Sequence, residues 1–385
     1  MVKTPIYLDY QATTPLDKRV LSSMMPYLTE HFGNPHSSTH SFGWRAAAAL
    51  DIAREQIAGV VGAAPEEIYF TSGATEANNM VIKGAMEFWG SKRPKLVTVA
   101  TEHKCVLESA RYCLRAGYEL EILPVMPNGL VDLNQLESAV DERTALVSVM
   151  AVNNEIGVIQ PLESIGKIVK AAGALFHSDG AQAFGKVPLN VDAAGLDFIS
   201  ISGHKIYGPK GIGALYKRAG RAQALVPFFS GGGQEEGVRA GTQAPALVAG
   251  LGAAAEIAGA EMTAESKRTQ TLMGSFKNKL FAGLPGLILN GDNDQRWHGN
   301  LNVSFPGIDG DLLLASIRDL AVSSGAACAS AVSGPSYVLE AIGCRQANAK
   351  SALRIGVGRF TTEDELDFAA ERLIAAVTSL GGIKP

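Results

Sequence analysis

Lys205 ends the run Ser200-Ile201-Ser202-Gly203-His204-Lys205, and the apolar segment Leu196-Asp197-Phe198-Ile199 leads straight into it. Gly208-Pro209-Lys210-Gly211 follows, so neither strand nor helix continues. A lysine held at a strand end in a partly desolvated cleft has a lowered pKa, and its neutral amine can form a Schiff base with an aldehyde. Taken alone, Lys205 reads as an exposed strand-end lysine. Four earlier apolar runs, however, also stop at residues with useful chemistry. Ile68-Tyr69-Phe70 ends in Thr71-Ser72-Gly73-Ala74-Thr75-Glu76, where a helix begins. Free N–H groups and a positive dipole end there suit a phosphate, and Thr75 adds a hydroxyl. The same residues also read as an ordinary capping box closed by Glu76. Thr98-Val99-Ala100 ends in Thr101-Glu102-His103-Lys104, where an imidazole could stack on a planar ring and move protons. Ser148-Val149-Met150 leads to the amides Asn153 and Asn154. Phe176-His177-Ser178 ends at Asp179, with Gln182 three residues on. A buried aspartate is costly unless it meets a cation, and a protonated pyridine nitrogen is one. Gln182 is then close enough to bond a phenolic oxygen on that ring.

These residues need a common platform, and the apolar pattern supplies one. Short apolar runs at Ile68-Phe70, Leu96-Ala100, Leu120-Val125, Ala145-Val152, Ala174-His177, Phe198-Ile201 and Gly213-Tyr216 alternate with amphipathic segments such as Glu76-Trp89 and Leu162-Ala172. This predicts an α/β fold: a mainly parallel seven-stranded sheet with helices on both faces. Open sheets of this kind bind ligands beyond the carboxyl ends of their strands. After about residue 260 the pattern changes to a helix at Met262-Leu284, short strands and a closing helix from Thr362 to about Leu380. The expected organisation is a large domain over 16–261 and a smaller α+β domain over 1–15 and 262–385. The latter carries a Ser, Gly and Ala-rich loop from Ser323 to Ser336, which holds Cys328. Such a loop buries little surface, a poor place for a structural cysteine and a suitable one for a travelling thiol.

Composition narrows the classes. The chain has 385 residues, 46% of them hydrophobic, ample for a buried core, and a formal net charge of −4 that offers no broad basic field for nucleic acid. Four cysteines (Cys105, Cys113, Cys328 and Cys344), none in a C-x-x-C pair, make a disulfide framework or a self-contained zinc site improbable. Cys105, Cys113 and Cys344 read as structural. No N-terminal signal core and no apolar run of membrane-spanning length is expected, which points to the cytoplasm.

The order of the strand ends is phosphate turn, stacking histidine, asparagine, pyridinium aspartate and Schiff-base lysine. As a set they resemble the pyridoxal-phosphate enzymes of fold type I, specifically the class V aminotransferase superfamily. Within it the chain is similar to the cysteine desulfurases of the NifS/IscS type over nearly its whole length. The matching stretches include Tyr7-Leu8-Asp9-Tyr10-Gln11-Ala12-Thr13-Thr14-Pro15, Phe32-Gly33-Asn34-Pro35, Val152-Asn153-Asn154-Glu155-Ile156-Gly157, Ser202-Gly203-His204-Lys205-Ile206-Tyr207-Gly208-Pro209-Lys210-Gly211, Arg239-Ala240-Gly241-Thr242 and Ser323-Ser324-Gly325-Ala326-Ala327-Cys328-Ala329-Ser330.

The resemblance implies pyridoxal 5'-phosphate as cofactor and L-cysteine as substrate. Lys205 is expected to carry the cofactor and then act as base, with His103 shuttling protons and Cys328 taking the sulfur as a persulfide while alanine leaves. Cofactor contacts are expected from Ala74, Thr75, His103, Asn154, Asp179, Gln182, Ser202, His204 and Lys205. Thr242 is expected to reach the phosphate of a second subunit in a homodimer. Arg354 and Asn34 are the expected substrate-carboxylate residues, since a planar bidentate donor fits a carboxylate. The persulfide would pass to an iron–sulfur scaffold or to another acceptor for tRNA thiolation or a thio-cofactor, with Cys328 a candidate for a transient iron–sulfur contact during delivery and no resident metal. Selenocysteine lyase and another class V transaminase are the alternatives. Three departures stand out. The cysteine loop lacks two hydroxyls of the expected Gly-Ser-Ala-Cys-Thr-Ser. Asp179-Gly180-Ala181-Gln182 replaces Asp-Ala-Thr-Gln. The C-terminal extension that helps dock a scaffold is not seen before Pro385.

Overall fold

The computed structural model describes residues 2–220, 225–324 and 336–381. The chain opens with β1 (Ile6–Tyr7), α1 (Lys18–Thr29) and α2 (Ser41–Val61). The alternation follows as β2 (Ile68–Thr71), α3 (Ala74–Trp89), β3 (Lys95–Val99), α4 (Lys104–Arg115), β4 (Glu119–Leu123), α5 (Leu133–Ala139), β5 (Thr144–Ser148), α6 (Leu162–Ala171), β6 (Leu175–Asp179), β7 (Phe198–Ser202) and β8 (Gly213–Lys217). The remainder comprises α7 (Pro245–Gly283), β9 (Ile288–Leu289), β10 (Asn300–Ser304), α8 (Gly310–Ser316), β11 (Leu320–Ala321), β12 (Ser323–Ser324), α9 (Tyr337–Ala341), α10 (Gln346–Lys350), β13 (Ala352–Gly356) and α11 (Glu363–Ser379).

All seven apolar runs read from the sequence become one seven-stranded sheet, ordered β2-β8-β7-β6-β5-β3-β4. Only β8 runs against its neighbours. Strands β5 to β8 are buried at every position, as expected where helices cover both faces. Strands β3 and β5 are adjacent although β4 lies between them in the chain, so the strand order reverses there. A crevice opens at the carboxyl ends of strands around such a reversal.

One face of the sheet packs Phe70, Val97, Val147, Phe176, Ile199 and Tyr216 against Leu50, Ile57, Val248 and Leu251. The other packs Tyr69, Leu96, Leu146, Leu175, Phe198 and Leu215 against Ala77, Met80, Val81 and Val106. A separate cluster gathers Ile6 and Leu8 with Phe276, Leu280, Val303, Phe305, Ile355 and Leu373, around the small sheet β12-β13-β10-β9. Strand β1 pairs in parallel with β11, which brings the N-terminus to this cluster.

Helix α7 departs from the sequence reading. It is continuous for 39 residues and begins at Pro245, well before the expected Met262. Its first half is rich in alanine and glycine, so it lacks the contrast that marks an amphipathic helix. That half also reaches the length and mean hydropathy of a membrane span, contrary to the expectation of no such run. Its buried residues Val248, Leu251, Ala254 and Ala258 belong to the main core, which accounts for the apolar character.

Candidate active site

Where β2 hands over to α3, the chain passes through Gly73, whose φ of 150° is a conformation that L side chains rarely adopt. Gly213, at the start of β8, lies beneath it: a Cβ there would come 2.6 Å from the Gly73 Cα. The capping-box reading of this turn does not hold. Gly73 is the N-cap and no side chain caps the helix. Glu76 turns back instead, accepting the Ser72 N–H at 2.8 Å and pairing with Arg239 Nε at 2.8 Å. The first turn of α3 is thus left open to a cavity of about 480 Å³, also lined by Thr75, Ser202, His204, Lys210 and Gly211. His204 Nδ1 lies 3.0 Å from Thr13 Oγ1. Burial, then Lys205, Lys210 and Lys186, push its imidazole down to about 4, so it is neutral at physiological pH.

Lys205 stands at the waist of the same cavity. Strand β7 runs through Ser202, and a single helical turn, Gly203–Lys205, then carries the lysine inward. Its Nζ donates to the carbonyls of Gln11 and Ala12 at 2.5 and 2.8 Å. The N-terminal segment therefore supplies the acceptors for the key amine. Gln182 Nε2 donates to the Gln11 carbonyl at 2.9 Å, and its Oε1 accepts from Lys186 Nζ at 3.1 Å.

Asp179, the last residue of β6, closes the far side. Its Oδ1 accepts the Ala181 N–H at 2.9 Å and its Oδ2 accepts Asn78 Nδ2 at 2.7 Å. Asn78 projects from α3, one turn beyond Thr75, and is fully buried. His103 is the N-cap of α4, which sets its ring at the cavity wall. Burial lowers its pKa; Asp179 opposes the shift, while Lys205 and Lys104 reinforce it. Glu102, fully buried beside it, is pushed well above the usual carboxylate range by burial and then by Asp179.

Arg354, on β13, reaches the cavity from the smaller sheet. Its Nη1 donates to the Asn154 carbonyl at 2.9 Å, and its Nη2 to Asp9 Oδ1 at 2.8 Å and Ser323 Oγ at 3.2 Å. Arg354 Nε, Asn154 Oδ1, Asn78 Oδ1 and Gln11 Oε1 are buried without a hydrogen-bond partner among the described residues. Each such atom costs about 1–3 kcal/mol unless something meets it. Three of these residues, Arg354, Asn154 and Gln11, line the one cavity, and Asn78 stands behind its Asp179, which marks a place built for a polar ligand. An open helix N-terminus, a reachable amine and a carboxylate held by an amide are the donor set for a phosphate, an aldehyde and a protonated ring nitrogen. Pyridoxal phosphate fits these residues.

Of the residues expected from sequence, Ala74, Thr75, His103, Asn154, Asp179, Gln182, Ser202, His204, Lys205 and Arg354 line this one cavity. Asn34 does not: it is exposed, and its Oδ1 is engaged by the N–H of His36 in a local turn. Thr242 is also exposed and lines a shallow surface pocket with Phe229, Arg239 and Gly241. Cys328 lies outside the described residues. Sequence reasoning passed over Gln11, Asn78 and Met150, and took Cys105 as structural, yet Gln11, Met150 and Cys105 line the cavity and Asn78 grips Asp179. The only signal for Asn78 was its position one helical turn after Thr75.

Comparison with known proteins agrees with this site. The family model described as Aminotransferase class-V matches residues 6–368. The chain is 52% identical to Cysteine desulfurase IscS of Rickettsia bellii over 381 residues, 99% of this chain and 93% of that protein. Among solved structures, a NifS-like protein superposes with a TM-score of 0.90 at 36% identity, covering 97% of this chain and all of that one. A structure of SspA in complex with cysteine gives a TM-score of 0.83 at 38% identity over 92% of this chain and 99% of that one. An α/β fold with lysine, aspartate and histidine at the ends of strands of one sheet, a family match over most of its length and such close relatives have one reading: the chain belongs to the class-V aminotransferase family.

Proposed function

We propose that this chain is a cysteine desulfurase, removing sulfur from L-cysteine to give L-alanine and a persulfide on Cys328. The observation that carries the reading is the joint presence, in one cavity, of Lys205, Asp179, His103 and Arg354. The identity to cysteine desulfurases over 99% of the chain supports it. Pyridoxal phosphate, when bound, supplies the electron sink for charge developing at the substrate α-carbon.

The chain's own residues do the rest. The open turn of α3, with Thr75, Ser202 and His204, would hold the phosphate. Asp179, steadied by Asn78, would keep the ring nitrogen protonated, and Gln182 would face the ring oxygen. Lys205 would anchor the cofactor aldehyde and, once released, remove the α-proton. Arg354 would pair with the substrate carboxylate through its fork of donors. His103 would carry protons at the cavity wall. The Cys328 thiolate would then attack the substrate sulfur: an S–S bond forms, the C–S bond breaks, and the carbon takes up a proton as alanine. Thr242 is read as a contact to the phosphate of a second copy in a homodimer; its exposure away from this chain's own cavity supports that role. The persulfide would pass to an iron–sulfur scaffold or another acceptor protein.

The test is mass spectrometry of the holoenzyme after L-cysteine, in parallel with an alanine assay. One added sulfur on the Cys328 peptide and loss of alanine formation in Cys328→Ala are expected. Unchanged alanine formation in that variant would sink the reading.

A further inference from the structure

Behind the His103 ring lies a thiol that the proposed reaction does not use. Cys105 Sγ is 3.0 Å from His103 Nδ1 and 3.1 Å from Asn78 Nδ2. The same Asn78 Nδ2 donates to Asp179 Oδ2 at 2.7 Å. An amide NH₂ has two hydrogens, so one serves the carboxylate and the other the sulfur. The directions of the remaining bonds follow. The backbone N–H of Cys105 donates to Nδ1 at 3.3 Å, which makes Nδ1 an acceptor. Two lone pairs would face each other across 3.0 Å unless a hydrogen lay between them, so the S–H points to Nδ1, while Asn78 and the Thr75 hydroxyl hydrogen-bond the sulfur from their own sides. Burial, aided by Asp179, pushes the thiol up to about 12, which keeps that hydrogen in place at neutral pH. Asn78 is itself fully buried, with Oδ1 unpartnered, so its orientation is set by these two donations.

The geometry points to Cys105 as a positioning residue: with Asn78 it bridges the Asp179 carboxylate to the His103 imidazole and holds His103 with Nδ1 as acceptor and the hydrogen on Nε2. The bridge links the group facing the ring nitrogen to the group that moves protons. It also leaves Nε2, which has no hydrogen-bond partner among the described residues, as the nitrogen available to a bound ligand. This rests on the proposed role of His103 as proton carrier, but the arrangement is measurable without turnover.

The experiment is nitrogen NMR of the holoenzyme carrying labelled histidine, titrated with pH. The chain has seven histidines, and His103→Gln assigns the resonance. Several charged or titratable groups face His103: Asp179 from β6, Lys205 from the turn after β7, Lys104 and Cys105 from α4, and Glu102 just before it. All but Cys105 are retained in the variants. Wild type should show one tautomer, with Nδ1 pyridine-like. In Cys105→Ala the long backbone contact alone is left, so the signals should move toward a tautomer average. The midpoint should rise by about half to one pH unit, because a donor to the neutral form is lost. Cys105→Ser should restore both. A Cys105→Ala spectrum and midpoint identical to wild type would overturn the proposal, as would a serine variant that behaves like alanine. Alanine assays on the same samples keep the two readings apart. If wild type releases no alanine from cysteine, the desulfurase reading fails while the tautomer result still stands or falls on its own.

Discussion

Asn78→Ala separates what holds the cofactor from what holds the fold. Asn78 donates one hydrogen bond to a carboxylate at 2.7 Å, in a site where both residues are buried. A hydrogen bond to a charged group is worth about 1.5–3 kcal/mol. Only the share of that bond that aims Asp179 at the ring nitrogen enters binding, so at roughly 1.4 kcal/mol per decade its loss should weaken cofactor binding by several-fold to at most about 150-fold. The apo-protein should respond differently. The substitution strips a donor from Asp179, but it also removes Oδ1, which is buried with no partner. These terms are each about 1–3 kcal/mol and opposite in sign, so apo stability should change by about 2 kcal/mol or less. The assay is equilibrium dialysis followed by the absorbance of bound cofactor, with melting curves of apo and holo forms. Binding within about twofold of wild type, with a large drop in apo stability, would refute the reasoning and make Asn78 a packing residue. Asn78→Asp sharpens the test. It sets a second carboxylate against Asp179 and should bind cofactor more weakly than the alanine variant.

Two further outcomes follow from the site. Arg354→Lys keeps the charge but loses the planar fork, leaving the Asn154 carbonyl and Asp9 short of a donor. Steady-state kinetics should show kcat/KM for L-cysteine down about 10- to 100-fold, with most of the change in KM; an unchanged KM would remove Arg354 from substrate binding. Glu155 supplies a pH signature. Burial, opposed by Ser336, Arg354 and Lys104, raises its pKa to about 7. Its folded value lies above the unfolded one, so its contribution to stability is full below about pH 4.5. That contribution is lost as pH rises through about 7 and amounts to roughly 3 kcal/mol at most. Denaturation of Glu155→Gln at pH 5 and pH 8 should show a shallower loss between the two than wild type, and an identical slope would count against the assignment.

Much of the catalytic wall was legible because it obeys a local rule. An apolar strand that stops at a polar residue exposes that residue at the sheet's carboxyl edge, and His103, Asp179 and Lys205 each follow such a run. The residues that escaped obey no local rule. Gln11 matters through its carbonyl, which Lys205 and Gln182 share across more than 170 positions of chain, and a carbonyl is the same on every residue. Asn78 and Cys105 gain their roles only when α3 and α4 are laid side by side. The capping-box reading at Glu76 went astray for a related reason: its carboxylate pairs with Arg239, far along the chain, while reaching only the Ser72 N–H. The early start of α7 was hidden because alanine and glycine give little apolar contrast along a helix.

That helix has a mechanical consequence. Its 39 residues span about 58 Å at roughly 1.5 Å each. Val248 and Leu251 near one end are rooted in the main core, and Phe276 and Leu280 near the other in the separate cluster. An unbroken helix anchored in this way acts as a strut. The two cores cannot fold sharply toward or away from each other at this connection without kinking it, which would interrupt its backbone hydrogen bonds. Yet Arg354 comes to the cavity from the small sheet and Lys205 from the end of a strand in the large one. The spacing between the group proposed to grip a substrate and the group proposed to take its α-proton is therefore held by a stiff gauge.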